Sequence, residues 1–168
     1  MVIVYQSNTG FTKQYAEMLA KAEKLKLYEL DEAELSNDTE VFYMGPLMAG
    51  HITGIEKAVK QFRVVGACGV GMSPPGGDIL TTLSKANAVP NAPIFYLQGG
   101  WAPKKVGWVK RQAVNMVTRS IRQSLESKSS RTQFEQANLD MLRKGGSMVA
   151  YENLSTIRNW MKENTNKK

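Results

Sequence analysis

The chain opens on Val2-Ile3-Val4-Tyr5, an apolar run that stops at Gln6-Ser7-Asn8-Thr9-Gly10 and gives way to a different rhythm. Over residues 11–24, Phe11, Tyr15, Met18, Leu19 and Ala22 recur at the spacing of a helix with one buried face. Residues 26–30 alternate polar and apolar positions like an edge strand, then meet an acidic, polar stretch over 31–40. Val41-Phe42-Tyr43-Met44-Gly45 reads as a buried strand that ends in a second loop, Pro46-Leu47-Met48-Ala49-Gly50-His51, before a helix burying Ile55, Val59 and Phe62. Residues 64–72 form a glycine-punctuated apolar strand, and Ser73-Pro74-Pro75-Gly76-Gly77 cannot be regular structure. Asp78 is placed to cap a helix over 79–88. Ile94-Phe95-Tyr96-Leu97 supplies a fifth strand, with Gln98-Gly99-Gly100-Trp101 leaving its carboxyl end.

Strands alternating with helices predict an α/β fold with a parallel sheet covered on both faces. Ligands of such sheets lie at the carboxyl ends of the strands, near the point where strand order reverses. The loops beginning at Ser7, Pro46 and Ser73 are therefore expected to converge on one crevice.

Residues 103–146 are too long for a simple strand-to-helix connection. Val106, Val109, Ala113, Met116, Val117 and Ile121 are expected on one helical face, with Lys104, Arg111, Arg119 and Arg122 opposite. Residues 124–130 form a polar break, 134–142 a second short helix, and Val149-Ala150-Tyr151 a short extended piece. A last helix carries Leu154, Ile157, Trp160 and Met161 on one face.

A chain of 168 residues suits one well-buried domain, and its 42% apolar and 22% charged content is that of a soluble globular protein. The single cysteine, Cys68, sits in an apolar run and reads as a small core residue; one cysteine and one histidine also argue against a His/Cys metal site. No apolar run approaches the roughly 20 residues that span a bilayer, and the N-terminus does not read as a signal peptide, so a cytoplasmic location is expected. The net charge of +7 is local. Residues 1–103 carry 8 Lys+Arg against 10 Asp+Glu, residues 104–131 carry 8 against 1, and residues 132–168 carry 6 against 4. A near-neutral body thus bears one strongly basic segment.

The chemistry of the first loop follows from its position between strand and helix. Backbone N–H groups at a helix N-terminus have no intrahelical partner and carry the positive end of the dipole, so an anion is stabilised there. Ser7, Thr9 and Thr12 add hydroxyls, and no Lys or Arg lies within the loop. Neutral donors holding a phosphate are implied, without the lysine of a nucleotide-hydrolysing P-loop. An ordinary strand-to-helix turn capped by Thr12 is the competing reading.

Ser7-Asn8-Thr9-Gly10-Phe11-Thr12 fills the pattern [ST]-x-T-G-x-T, and in that respect the chain resembles the flavodoxins, in which this loop holds the phosphate of FMN. The resemblance implies a flavodoxin-like three-layer sandwich with a five-stranded parallel sheet of order 2-1-3-4-5 and FMN at its switch point. It implies a phosphate site at Ser7, Asn8, Thr9, Gly10, Phe11 and Thr12. It also implies a ring site lined by Pro46, Leu47, Met48, Ala49, Gly50 and His51 and by Ser73, Pro74, Pro75, Gly76 and Gly77. Ordinary flavodoxins stack an aromatic from the second or third loop on the flavin, yet neither loop here contains one. Trp101 could substitute, or could cover the sheet end or pack under the insertion; His51 could equally be a loop histidine bonded to the backbone.

The basic insertion, the Gly50-His51 pair and the Val149-Ala150-Tyr151 lead-in resemble more loosely the flavodoxin-type protoporphyrinogen oxidases and the flavodoxin-domain proteins grouped with them. That resemblance implies one domain over 1–168 with an insertion at about 103–146. It implies an FMN-dependent redox protein with a quinone or another redox partner, peripheral at the inner face of the membrane. An anionic membrane surface would be met through 104–131; a solvated helix face is the plainer reading, and no nucleic-acid motif accompanies the basic residues. A soluble electron carrier and a non-catalytic flavin-binding module that docks a protein partner remain the alternatives. Catalytic side chains are not identified.

Overall fold

The computed structural model describes residues 1–87 and 89–165, and within it the chain divides into two units, 1–99 with 149–168 and 100–148. In the first unit β1 (Val2–Tyr5) leads through the first loop into α1 (Phe11–Glu23), followed by β2 (Leu27–Glu29) and β3 (Glu40–Met48). A short β4 (His51–Ile52), α2 (Ile55–Gln61), β5 (Arg63–Gly71), α3 (Ile79–Ala86) and β6 (Ile94–Gln98) come next. The sheet runs β2-β1-β3-β5-β6, with every pairing on that path parallel. This is the flavodoxin-like order 2-1-3-4-5, and the reversal falls between β1 and β3.

Period-two alternation sorts the strand residues between two buried layers. Ile3, Tyr5, Phe42, Met44, Cys68 and Val70 pack with Tyr15, Ala16 and Leu19 of α1 and with Leu154, Ile157 and Met161 at the C-terminus. Val4, Val41, Tyr43 and Ala67 pack with Ile55, Ala58 and Phe62. Each of the large side chains contributes about 1.5–3 kcal/mol by leaving water. Between β2 and β3 the chain crosses without a helix, and Leu30, Ala33 and Leu35 of this stretch join the second layer. The C-terminal element is a 3-10 turn at Tyr151–Leu154 continuing into a helix, Ser155–Thr165. Ala150 has extended backbone, but no strand forms at the expected lead-in of 149–151. Ala88, the expected last residue of the third helix, lies outside the described residues.

In the second unit β7 (Gly100–Trp101) pairs antiparallel with β8 (Gly146–Ser147), so the insertion leaves and returns at one place. Between them lie α4 (Trp108–Val117), α5 (Arg119–Glu126) and α6 (Gln133–Lys144), and the helix Ser155–Thr165 of the first unit follows as α7. α6 begins with a capping box in which Thr132 and Glu135 satisfy each other's backbone N–H. Glu126 of α5 pairs with Arg143 of α6 at 2.7 Å. The single long basic helix face expected here is broken at Thr118, whose hydroxyl donates to the Val114 carbonyl. Among the described residues no helix is long and apolar enough to cross a membrane.

Candidate functional site

Because β1, β3 and β5 are adjacent and parallel, the segments that follow them emerge side by side along one edge of the sheet. The first is the loop into α1. Gly10 occupies the N-cap with φ of 98°, a left-handed conformation that glycine adopts without penalty. Its N–H donates to Ser7 Oγ at 3.1 Å, which folds the loop back on itself. No side chain caps the helix, and the first helical bond runs from Gln14 N–H to the Gly10 carbonyl. The N–H groups of Phe11, Thr12 and Lys13 therefore stand ahead of the helical ladder at the positive end of the dipole. Thr12 lies inside the first turn and is 2% exposed, so it is not the cap. This donor set suits a phosphate. The neighbouring hollow of about 480 Å³ sets Glu17, Glu29 and Glu32 against a single cation, Lys13, and its net negative charge disfavours an anion.

The second segment differs from the expected loop. β3 does not stop at Gly45 but runs through Pro46 and Leu47 to Met48, then turns back as β4 with Met48 opposite His51 and Leu47 opposite Ile52. Pro46 is tolerated because β1 ends opposite Met44; the side of β3 that Pro46 would have served with an N–H is no longer paired to β1, and its carbonyl accepts Thr53 N–H at 2.9 Å. Ala49 and Gly50 form the two-residue turn, both with positive φ, 49° and 83°. That is the geometry of a type I′ turn, which matches the twist of a hairpin. The hairpin exposes Met48, Ala49 and His51.

Asn87 holds this hairpin from outside. Its amide oxygen accepts Ile52 N–H at 2.7 Å, while its amide nitrogen donates to the Gly50 carbonyl at 3.1 Å and to the Leu83 carbonyl at 2.8 Å. The side chain, 3% exposed, stands where a neighbouring strand's peptide group would be. Sequence reasoning missed it, because nothing local marks a residue that bonds 35 positions away.

The third segment, Ser73-Pro74-Pro75-Gly76-Gly77, is a true loop. It is tied at its root by β6: Tyr96 donates its hydroxyl to the Ser73 carbonyl, and Gln98 Nε2 donates to the Met72 carbonyl at 3.0 Å. The Gln98 carbonyl accepts from the Tyr15 hydroxyl at 2.7 Å, and Asn153 Nδ2 donates to that same hydroxyl at 2.6 Å. One buried phenol from α1 thus joins the last residue of β6 to the turn that leads into α7. Burial pushes the Tyr15 hydroxyl above its ordinary pKa, against the hydrogen bonds from Asn153 and Ala150 that favour the ionised form. Tyr43 and Tyr96 are raised further, chiefly by burial, and so is the Cys68 thiol, which is inert as a nucleophile. Asp78 heads α3 without a side-chain cap bond.

Trp101 belongs to the second unit, where it pairs with Gly146 and is 6% exposed; its ring is a packed side chain. In the same unit, of the apolar residues expected on one helical face, Val109 is 71% exposed and Met116 74%, with Trp108 beside them at 67%, whereas Val106 and Ile121 are half-buried. The side chain of Val117 lies outside the described residues. Arg122, Lys128 and Arg131 are engaged within the unit, with the Asn115 carbonyl, with Glu135 and with the carbonyls closing α5, and Lys104 and Arg119 are exposed. Comparison with models of known protein families, with curated proteins and with solved structures finds no match for this chain.

Proposed function

We propose that the protein is an FMN-binding redox protein of the flavodoxin type. The observation that carries this reading is the uncapped, hydroxyl-lined N-terminus of α1 beside the switch point of the sheet, an anion site built from neutral donors. Bound FMN would supply the electron transfer. The chain's part is to hold the phosphate through the N–H groups of residues 11–13 and the hydroxyls of Ser7, Thr9 and Thr12. The hairpin and the loop 73–77 then offer backbone atoms and the exposed Met48 and His51 to the ring. Purified protein that takes up FMN stoichiometrically supports the reading; a colourless protein that leaves added FMN free refutes it.

The exposed Trp108, Val109 and Met116, in a segment rich in Lys and Arg, favour one form of this function over a soluble shuttle. An exposed apolar stripe with cations nearby is the composition of an interfacial helix. We infer a quinone-linked oxidoreductase, similar to the flavodoxin-type protoporphyrinogen oxidases, working at the cytoplasmic surface of an anionic membrane. Reoxidation of the reduced protein by a menaquinone analogue should accelerate with anionic vesicles. A soluble carrier would show no vesicle effect.

A further inference from the structure

The hairpin 47–52 has little to hold it in place by itself. β4 is two residues long, its turn places Ala49 in a left-handed conformation that costs a residue with a Cβ about 1–2 kcal/mol, and Met48, Ala49 and His51 face solvent. Its outer edge presents the Ile52 N–H and the Gly50 carbonyl, and both are taken by Asn87. Asn87 is in turn fixed to α3, because its backbone N–H and its amide nitrogen both bond the Leu83 carbonyl. α3 begins directly after the loop 73–77, with Thr82 N–H bonded to the Asp78 carbonyl. An eight-residue helix therefore has one arm of the strand-end site at its head and the other latched to its tail.

We propose that Asn87 is the positioning residue of the hairpin and that α3 makes the hairpin and the loop 73–77 one mechanical unit. A short helix transmits displacement because its ladder does not stretch, and a buried amide bonded on three sides does not slip cheaply. Ordering of the loop 73–77 then orders the turn at Ala49–Gly50, although α2 and β5 separate the two segments in the sequence. That the ordering ligand is FMN rests on the function proposed above; the clamp itself does not.

Amide hydrogen exchange on the full chain tests this, with global stability measured in parallel so that general loosening is recognised. Without ligand, Asn87→Ala should speed exchange of the Ile52 amide at least tenfold and of the Thr82 amide at the head of α3 about threefold, while amides of β1 and α1 keep their rates. Asn87→Asp, which retains the acceptor for Ile52 N–H and loses both donated bonds, should fall between, and it carries the test if the alanine variant does not fold. With FMN added, exchange across 47–52 should slow in both proteins where the ring touches the hairpin, and by a larger factor in the wild type than in Asn87→Ala. Wild-type rates at Ile52 in both variants overturn the clamp. Acceleration at Ile52 with Thr82 unmoved overturns the mechanical link. Failure of the wild type to bind FMN refutes the proposed function and leaves the ligand-free comparison decisive for Asn87.

Discussion

Replacing Tyr15 by Phe keeps the ring in the core cluster it shares with Leu19, Ile3 and Phe42 and removes only the hydroxyl. That oxygen donates to the Gln98 carbonyl at 2.7 Å and accepts from Asn153 at 2.6 Å, in a side chain with no exposed surface. The variant takes this donor from the Gln98 carbonyl inside the core, at about 1–3 kcal/mol, whereas the Asn153 amide belongs to an exposed residue and can turn to water. Removing the hydroxyl's own desolvation cost returns part of this, so a net loss of about 1–2 kcal/mol is expected. For a chain of this size each kcal/mol lowers the melting temperature by roughly 2–4 °C, giving a fall of roughly 2–8 °C. Urea denaturation with an unchanged slope should report the loss. A double-mutant cycle with Asn153→Ala should give a coupling of at least about 0.5 kcal/mol between the two sites. A loss below about 0.5 kcal/mol, or additive effects, would refute the idea that this phenol joins α1 to the end of β6 and to the turn before α7.

The remaining predictions concern pH and the second unit. Tyr15, Tyr43 and Tyr96 are all held above their ordinary value of 10.0, so the stability they lend is fully present below pH 10 and is lost as the pH rises toward their folded values. Unfolding free energy should fall steeply only above about pH 10, with phenolate absorbance appearing together with unfolding; normal titration of every tyrosine in folded protein would contradict this. Changing Trp108 and Met116 together to Ser should leave stability within about 0.5 kcal/mol, since both side chains are exposed, and should abolish binding to anionic vesicles as measured by co-sedimentation. Unchanged vesicle binding would remove the stripe from the proposed membrane contact.

Element types were legible in the sequence because most strands are apolar runs and the helices carry a 3.6-residue stripe, whereas the sheet order was implied by the resemblance of Ser7–Thr12 to the flavodoxin loop. The strand-end hairpin was not legible. Its turn residues are Ala49 and Gly50, and the usual marker of a type I′ turn is Asn or Asp before the glycine. Pro46 added a false stop, because whether a missing N–H matters depends on which neighbouring strand has already ended. Tyr15 was readable as a buried helix residue from its spacing, whereas the partners of its hydroxyl lie 83 and 138 positions away. The apolar residues of α4 follow a buried pattern by periodicity alone, yet Val109 and Met116 face solvent. Periodicity reports that a face is apolar and says nothing of what covers it.

The strand, turn and helix N-terminus around Ser7–Thr12 were legible in the sequence because all three are local features. The measurement that tests a phosphate site there most directly compares FMN with riboflavin, which lacks the phosphate, on wild-type protein and on the Thr9→Val, Thr12→Val double variant. Hydrogen bonds to a charged group are worth about 1.5–3 kcal/mol each. FMN affinity should therefore fall about a hundredfold or more, with riboflavin affinity held within about threefold. Equal losses for the two ligands, or no FMN binding by the wild type, would contradict a phosphate cradle at Ser7–Thr12.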